Sequence, residues 1–182
     1  MTNIDRIKKQ IKEECRDNDF LWFYKTHLKA VEKNALFLLE KLKKADKEIV
    51  LIAVWLHDLQ RVKDLEGNHA KIGAVEARKV LEKYKYSEKQ IKYVEEIILC
   101  HSCNSKLMPK TIEAKILATA DAMAHYQNDF YLKIAVFGER DIDNYKSWLN
   151  EKLDRNYNVK IFFPFAKKMV KKKHEAFKEI LK

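Results

Sequence analysis

Glycine and proline are scarce in this chain, which has three glycines and two prolines among 182 residues. Both residue types interrupt regular structure, so their scarcity leaves long segments free to form helices. No stretch alternates apolar and polar residues far enough to favour a β-strand. The sequence therefore predicts an all-α protein.

Cysteine and long apolar runs are also scarce. Cys15, Cys100 and Cys103 are an odd number and imply no disulfide framework. The pair "CHSC" has no second pair to complete a structural zinc site, so reduced cysteines are favoured. No apolar run approaches the roughly 20 residues that span a bilayer, and the first residues lack the apolar region of a signal peptide. We expect a cytoplasmic protein with no membrane partner.

The charge is strongly unbalanced, at +10, with many lysines from Lys167 onward. Such an excess suits an anionic partner, either nucleic acid or a phosphorylated small molecule. No nucleic-acid-binding motif accompanies it, so nucleic acid is possible but not favoured. The C-terminal lysines are interpreted as a solvated helix face, because apolar residues keep helical spacing among them: Phe165, Met169, Val170, Phe177 and Leu181.

Helical periodicity and capping residues divide the chain into helices, without repeats or linkers. The predicted helices are a first one striped by Ile4, Ile7, Ile11 and Cys15; a second over 20–42; a third capped by Asp46; one resuming at "HAKIGA"; one with a Ser87–Gln90 capping box to about His101; a long one from Thr111 toward Gly138; one striped from Tyr145 to Tyr157; and one starting at Pro164. We predict a single domain over 1–182, in which 138–182 packs on the rest as C-terminal helices.

Asp58 follows a run of eight apolar residues, 49–56, in the third predicted helix. A helix that is apolar all round is normally buried, and an ionised carboxylate there is costly unless something pairs with it. One of the many basic residues could be that partner, and so could a metal ion. The same question applies to other polar residues on apolar helix faces.

Six such residues come from five predicted helices: His27, His57, Asp58, His69, His101 and Asp121. Each alone could be a hydrogen-bonded core residue or half of an ion pair, and His125 and His174 could lie on the surface. Together, six separate partners would be needed, whereas two divalent cations would satisfy all six. Imidazole and carboxylate suit iron, manganese, nickel and zinc. The sequence therefore predicts a buried metal centre.

The ordered set His27, His57-Asp58 and Asp121 resembles the H…HD…D signature of the HD-domain superfamily of metal-dependent phosphohydrolases. The resemblance covers about residues 20–137, and includes the apolar run before the HD pair, "ATADAM" around Asp121 and "HAKIGA" around His69. His69 and His101 match the subgroup that holds two metals. The resemblance implies one ion on His27, His57, Asp58 and Asp121, with Asp58 bridging to a second ion on His69 and His101.

The resemblance also implies a phosphomonoesterase or phosphodiesterase that acts on a nucleotide or related phosphorylated small molecule by metal-activated hydroxide. It implies one or two divalent ions, chosen from Mn, Fe, Ni, Zn and Mg. Two-metal relatives often carry a lysine shortly after the HD pair, where this chain has Gln60 and Arg61. We expect Arg61 to do that work beside Asp58, because its planar fork binds phosphate in a bidentate way.

Two other functions stay open. Some proteins of this fold resemble the chain in all six residues and use a di-iron pair to activate oxygen. A nucleotide- or nucleic-acid-binding module with a vestigial metal site is the other. The residues from 141 onward carry no functional motif, and we expect them to pack on the core and help to shape the pocket.

Overall fold

The computed structural model of the chain describes residues 1–104, 107–127, 129–138 and 140–181. Within those ranges it holds α-helices, two π-helical turns and no β-strand, which confirms the predicted all-α fold. The helices are α1 (Asn3–Asp17), α2 (Leu21–Phe23), α3 (Lys29–Lys41), α4 (Lys47–Leu56), α5 (Leu59–Val62), α6 (His69–Lys83), α7 (Glu88–Cys100), α8 (Ile112–Ala124), α9 (Phe130–Phe137), α10 (Ile142–Arg155) and α11 (Pro164–Ile180). The π-helical turns are Tyr24–Leu28, between α2 and α3, and Asn156–Lys160, after α10.

Helix α4 is the centre of the fold. Its residues from Ile49 to Leu56 are all buried, and it packs against α1, α3, α7 and α8. The predicted cap is present, because the Asp46 carboxylate accepts hydrogen bonds from the backbone N–H groups of Glu48 and Ile49. Burial on every side explains why the periodicity of this segment is weak and its hydropathy high.

The other predicted helix starts are also present. Ser87 and Gln90 form the capping box of α7, and the Thr111 hydroxyl accepts from the backbone of Ala114 at the start of α8. The predicted helix over 20–42 forms as α2, a π-helical turn and α3 in direct succession. This turn carries the buried His27. A π-helical turn inserts a residue into the helical repeat and re-aims the side chains that follow.

The long helix predicted from Thr111 toward Gly138 is wrong, because α8 ends at Ala124 and α9 begins at Phe130. The N–H groups of Tyr126 and Gln127 bond to carbonyls three residues back, which tightens and ends the last turn. The buried Tyr126 hydroxyl donates to the Leu153 carbonyl at 2.9 Å, so a contact with α10 overrides the local helical pattern.

The segment after α10 lies against α8. The Thr119 hydroxyl donates to the Lys160 carbonyl at 3.3 Å and accepts from the Phe162 N–H at 3.1 Å. On α11 most lysines are exposed, as expected for a solvated face, whereas Ala166 and Val170 are buried. The predicted apolar stripe of this helix is buried only in part, since Phe165 and Met169 are exposed. In the described part of the chain, no helix is long and apolar enough to cross a membrane.

Candidate metal centre

Three histidines stand directly after the last residues of three helices. His57 follows α4, His101 follows α7 and His125 follows α8, and all three are buried. The rings of His57 and His101 lie 5.2 Å apart between centroids, and those of His27 and His125 lie 5.0 Å apart. Helix C-termini carry partial negative charge, so the ends of α4, α7 and α8 favour a cation at this place.

Two buried carboxylates lie among these rings. The Asp58 Oδ2 is 3.4 Å from the Nε2 of His27 and 3.3 Å from the Nε2 of His57. The Asp121 Oδ1 is 3.4 Å from the same His27 nitrogen and 4.0 Å from that of His57. The structure therefore brings together the four residues expected to hold the first ion.

Asp58 reaches this position from a turn and not from a helix face. Helix α4 ends at Leu56, and Asp58, with φ −112° and ψ 25°, precedes the first residue of the short α5. The prediction that Asp58 lies within the third helix is therefore wrong. The break turns its carboxylate toward the rings of His27 and His57.

Several nitrogen atoms at the centre are buried without hydrogen-bond partners: His27 Nδ1, His27 Nε2 and His57 Nε2. Orphaned buried polar atoms are rare and costly, so they call for an explanation. The Nδ1 of His57 donates to the Val54 carbonyl at 2.8 Å, and the Nδ1 of His101 donates to the Ile98 carbonyl at 2.6 Å. A carbonyl only accepts, so each ring in its neutral form keeps the lone pair on its Nε2, which is the state of a metal-ligating histidine. These residues fit a divalent ion.

The ligand atoms form two overlapping groups in the described residues: His27, His57 and Asp121 in one, and His57, Asp58 and His101 in the other. Within each group, the candidate atoms lie within 4.8 Å of one another. His69 belongs to neither group, although its ring centroid is 5.4 Å from that of His101 and both side chains line a cavity over the centre. The residues expected at the second ion are thus neighbours, with His69 set further out.

Burial and charge place most of these groups in the protonation state that metal binding needs. Burial lowers the pKa of His101 to about 3 and also lowers the pKa of His27. Burial acts to raise the pKa values of Asp58 and Asp121, but nearby cationic groups, His57 and Lys160 foremost, hold both well below the usual value. His57 differs, because the two carboxylates outweigh burial and raise its pKa.

Sequence reasoning missed two residues of the centre. The buried Lys160 ammonium donates to the Asp121 Oδ2, so a basic residue does pair with one oxygen of this carboxylate while Oδ1 faces the histidines. The sequence left His125 as a possible surface residue, but it is buried, with its Nε2 3.6 Å from the Asp121 Oδ1. His125 stands one helical turn after Asp121, which was a usable signal. Lys160 gave none beyond its apolar neighbours in sequence.

A cavity of about 80 Å³ opens over the centre. Asp58, His69, His101 and Asp121 line its metal side, and Phe130 and Trp148 add aromatic surface. Four cationic side chains complete it: Arg61, Lys152, Arg155 and Lys160. The Arg61 Nε is 3.5 Å from the Asp58 Oδ1, and the side chain is about half exposed at 48 %. As expected, the chain beyond residue 141 helps to shape the pocket.

The fold and the site together define the class of protein. It is an all-α protein in which buried histidines and aspartates form a candidate metal centre beneath an open cavity. The family model of the HD domain matches residues 24–125, which is more than half of the chain. The protein belongs to the HD-domain family, whose members are mostly metal-dependent hydrolases. No curated protein and no solved structure matches the chain.

Proposed function

We propose that the protein is a metal-dependent phosphohydrolase, a phosphomonoesterase or phosphodiesterase, acting on a nucleotide or a related phosphorylated small molecule. The observation that carries this proposal is the set of orphaned nitrogens on His27 and His57 beside two carboxylates held ionised. They lie beneath a cavity lined by four cationic side chains, which suit a phosphate group.

In this proposal His27, His57, Asp58 and Asp121 hold one divalent ion. His69 and His101, together with Asp58, would hold a second. Bound ions lower the pKa of water toward about 7 and act as Lewis acids on a phosphoryl oxygen. Mn, Fe, Ni, Zn and Mg all remain candidates, since the ligand set is imidazole and carboxylate.

The chain's own groups bind and orient the substrate. Arg61, half exposed at the rim and close to Asp58, donates to the non-reacting phosphate oxygens. Lys160 holds the Asp121 carboxylate through Oδ2, so that Oδ1 keeps its direction toward His27. Phe130 and Trp148 reduce the access of water to the bound phosphate.

Metal analysis of protein purified without chelator, followed by a phosphate-release screen over nucleotides and generic phosphodiesters, tests this function. We expect a bound divalent metal, and phosphate release that stops in chelator and returns with added ion. Asp58→Asn should abolish release, whereas Asp64→Asn, a matched change at an exposed position nearby, should leave it intact.

Two outcomes would contradict the proposal. Oxygen uptake without phosphate release, accompanied by an iron electron-resonance signal, would favour a di-iron oxygenase. Nucleotide affinity that survives complete metal removal, with no turnover of any phosphoester, would favour a binding module.

A further inference from the structure

Helix α10 presents one aromatic and two cationic side chains to the cavity. Trp148, Lys152 and Arg155 are spaced four and three residues apart, so they lie on one helix face. All three line the cavity above the metal centre, and all three also line a shallower depression that adjoins it. They lie outside residues 24–125, so the family match does not account for them.

The two cations on this face have no carboxylate partner among the described residues. The carboxylates of the centre are already paired, since Arg61 lies beside Asp58 and Lys160 binds Asp121. Lys152 is half-buried, although such a cation is normally exposed or paired. Burial, followed by the positive charge of Lys160, lowers the pKa of Lys152 to about 7. Inside the cavity this wall therefore carries no carboxylate, and Glu151 of the same helix lines only the adjoining depression.

Divalent ions at the centre would increase the excess of positive charge in the cavity. A single phosphate group on those ions would leave the ammonium of Lys152 and the guanidinium of Arg155 unmatched. The α10 face is held in place by packing, because Trp148 contacts the rings of Tyr131 and Tyr145 at centroid distances of 6.3 and 5.7 Å. The two cations thus belong to a fixed wall.

We propose that Lys152 and Arg155 form a second anion subsite, and that the substrate carries two phosphate groups, one at the metal centre and one against α10. This inference rests on the proposed phosphohydrolase function and narrows its substrate class. Lys152 and Arg155 bind the phosphate that does not react, and orient the other toward Asp58 and Asp121.

The test compares the binding of adenosine 3′,5′-bisphosphate and adenosine 5′-monophosphate to Mn²⁺-loaded protein. Stopped-flow tryptophan fluorescence reports binding before turnover, since Trp148 lines the cavity. We expect the wild type to bind the bisphosphate roughly tenfold to hundredfold more tightly, as charge-assisted hydrogen bonds to one added phosphate provide. Lys152→Met with Arg155→Met should remove this preference.

The matched control is Lys146→Met with Lys171→Met, which removes the same charge from exposed positions on α10 and α11. It should keep the preference. If the double variant in the cavity does not fold, Arg155→Met alone, at an exposed position, should still lose most of the preference.

A wild type that binds both ligands equally, or a cavity variant that retains the preference, would overturn the second subsite. An equal loss in the control would also overturn it, because long-range attraction would then explain the preference. Phosphate release is followed in the same samples. Its absence on every ligand would contradict the proposed function and leave the binding comparison valid.

Discussion

Lys160 donates to Asp121 in the core of the protein, where the two side chains are 2 % and 5 % exposed. The lysine comes from the π-helical turn after α10 and the aspartate from α8, so the pair ties the C-terminal helices to the metal centre. Only Oδ2 of the carboxylate is used. The other oxygen is directed toward His27 and His125.

Lys160→Met should destabilise the metal-free protein by about 3–5 kcal/mol, because it leaves the Asp121 carboxylate unpaired in the core. Urea denaturation in chelator measures the loss. Lys168→Met, an exposed lysine on α11, is the control and should change stability by less than about 0.5 kcal/mol. Added Mn²⁺ should recover part of the loss, since a cation again faces Asp121. An unchanged metal-free stability would show that the pair does not form.

The metal content per chain distinguishes the residues of the proposed second ion site from those of the first. Protein isolated without chelator should hold about two divalent ions per chain, and His69→Ala with His101→Ala should reduce this to one. Mass spectrometry of the metals measures the ratio. His174→Ala is a suitable control, because this ring stacks on Tyr157 and belongs neither to the candidate ligand groups nor to the cavity lining. Equal metal content in the wild type and the double variant would make His69 and His101 structural.

Gly73 controls how closely α6 approaches the centre. A Cβ at this position would lie 3.1 Å from the backbone oxygen of His57, which is too close for ordinary contact. Gly73→Ala should displace His57 and weaken Mn²⁺ binding roughly tenfold or more, as changes behind a ligand do. Val75→Ala, at an exposed position on the same helix, should bind Mn²⁺ normally. Calorimetric titration distinguishes the two, and normal affinity in Gly73→Ala would contradict the tight packing.

Acid should unfold the metal-free protein through its buried histidines. The unfolded chain protonates His101 below its ordinary pKa of 6.5, whereas the folded chain does so only near pKa 3. Between these values the unfolded state binds more protons, so stability is lost as the pH falls. The lowered pKa values of His27 and His125 act in the same direction, and the raised pKa of His57 opposes them.

Melting temperatures from pH 7 to 4 in chelator test this acid sensitivity. His101→Gln, which cannot take up the proton, should show a shallower decline than the wild type. Parallel curves for the two proteins would exclude His101 as a source of the pH dependence.

The features predicted from sequence are those that local chemistry determines. Scarce glycine and proline predicted the all-α fold, and Asp46, Ser87 and Thr111 marked three helix starts because a capping side chain bonds to the backbone a few residues away. The six candidate ligands were found because polar residues on apolar faces need a partner.

The missed features depend on contacts between distant residues. Helix α8 ends at Ala124, where the Tyr126 hydroxyl donates a hydrogen bond to the Leu153 carbonyl. The partner of Asp121 is Lys160, which is distant in sequence. The two π-helical turns, which carry His27 and Lys160, have no local sequence signal. Helical periodicity also does not predict that α4 ends before His57 and Asp58.

Asp58→Asn tests the central claim most directly, with melting measured in chelator and after addition of Mn²⁺. The partners of Asp58 are the half-exposed guanidinium of Arg61 and two histidines that can release a proton, His27 and His57. The amide of Asp58→Asn therefore leaves no permanently charged group without a partner in the core. We predict that the metal-free variant melts at least as high as the metal-free wild type, and that only the wild type and Asp64→Asn gain stability with Mn²⁺. A large loss of metal-free stability in Asp58→Asn, or an equal gain with Mn²⁺, would contradict the assignment of Asp58 as a metal ligand and the hydrolase function built on it.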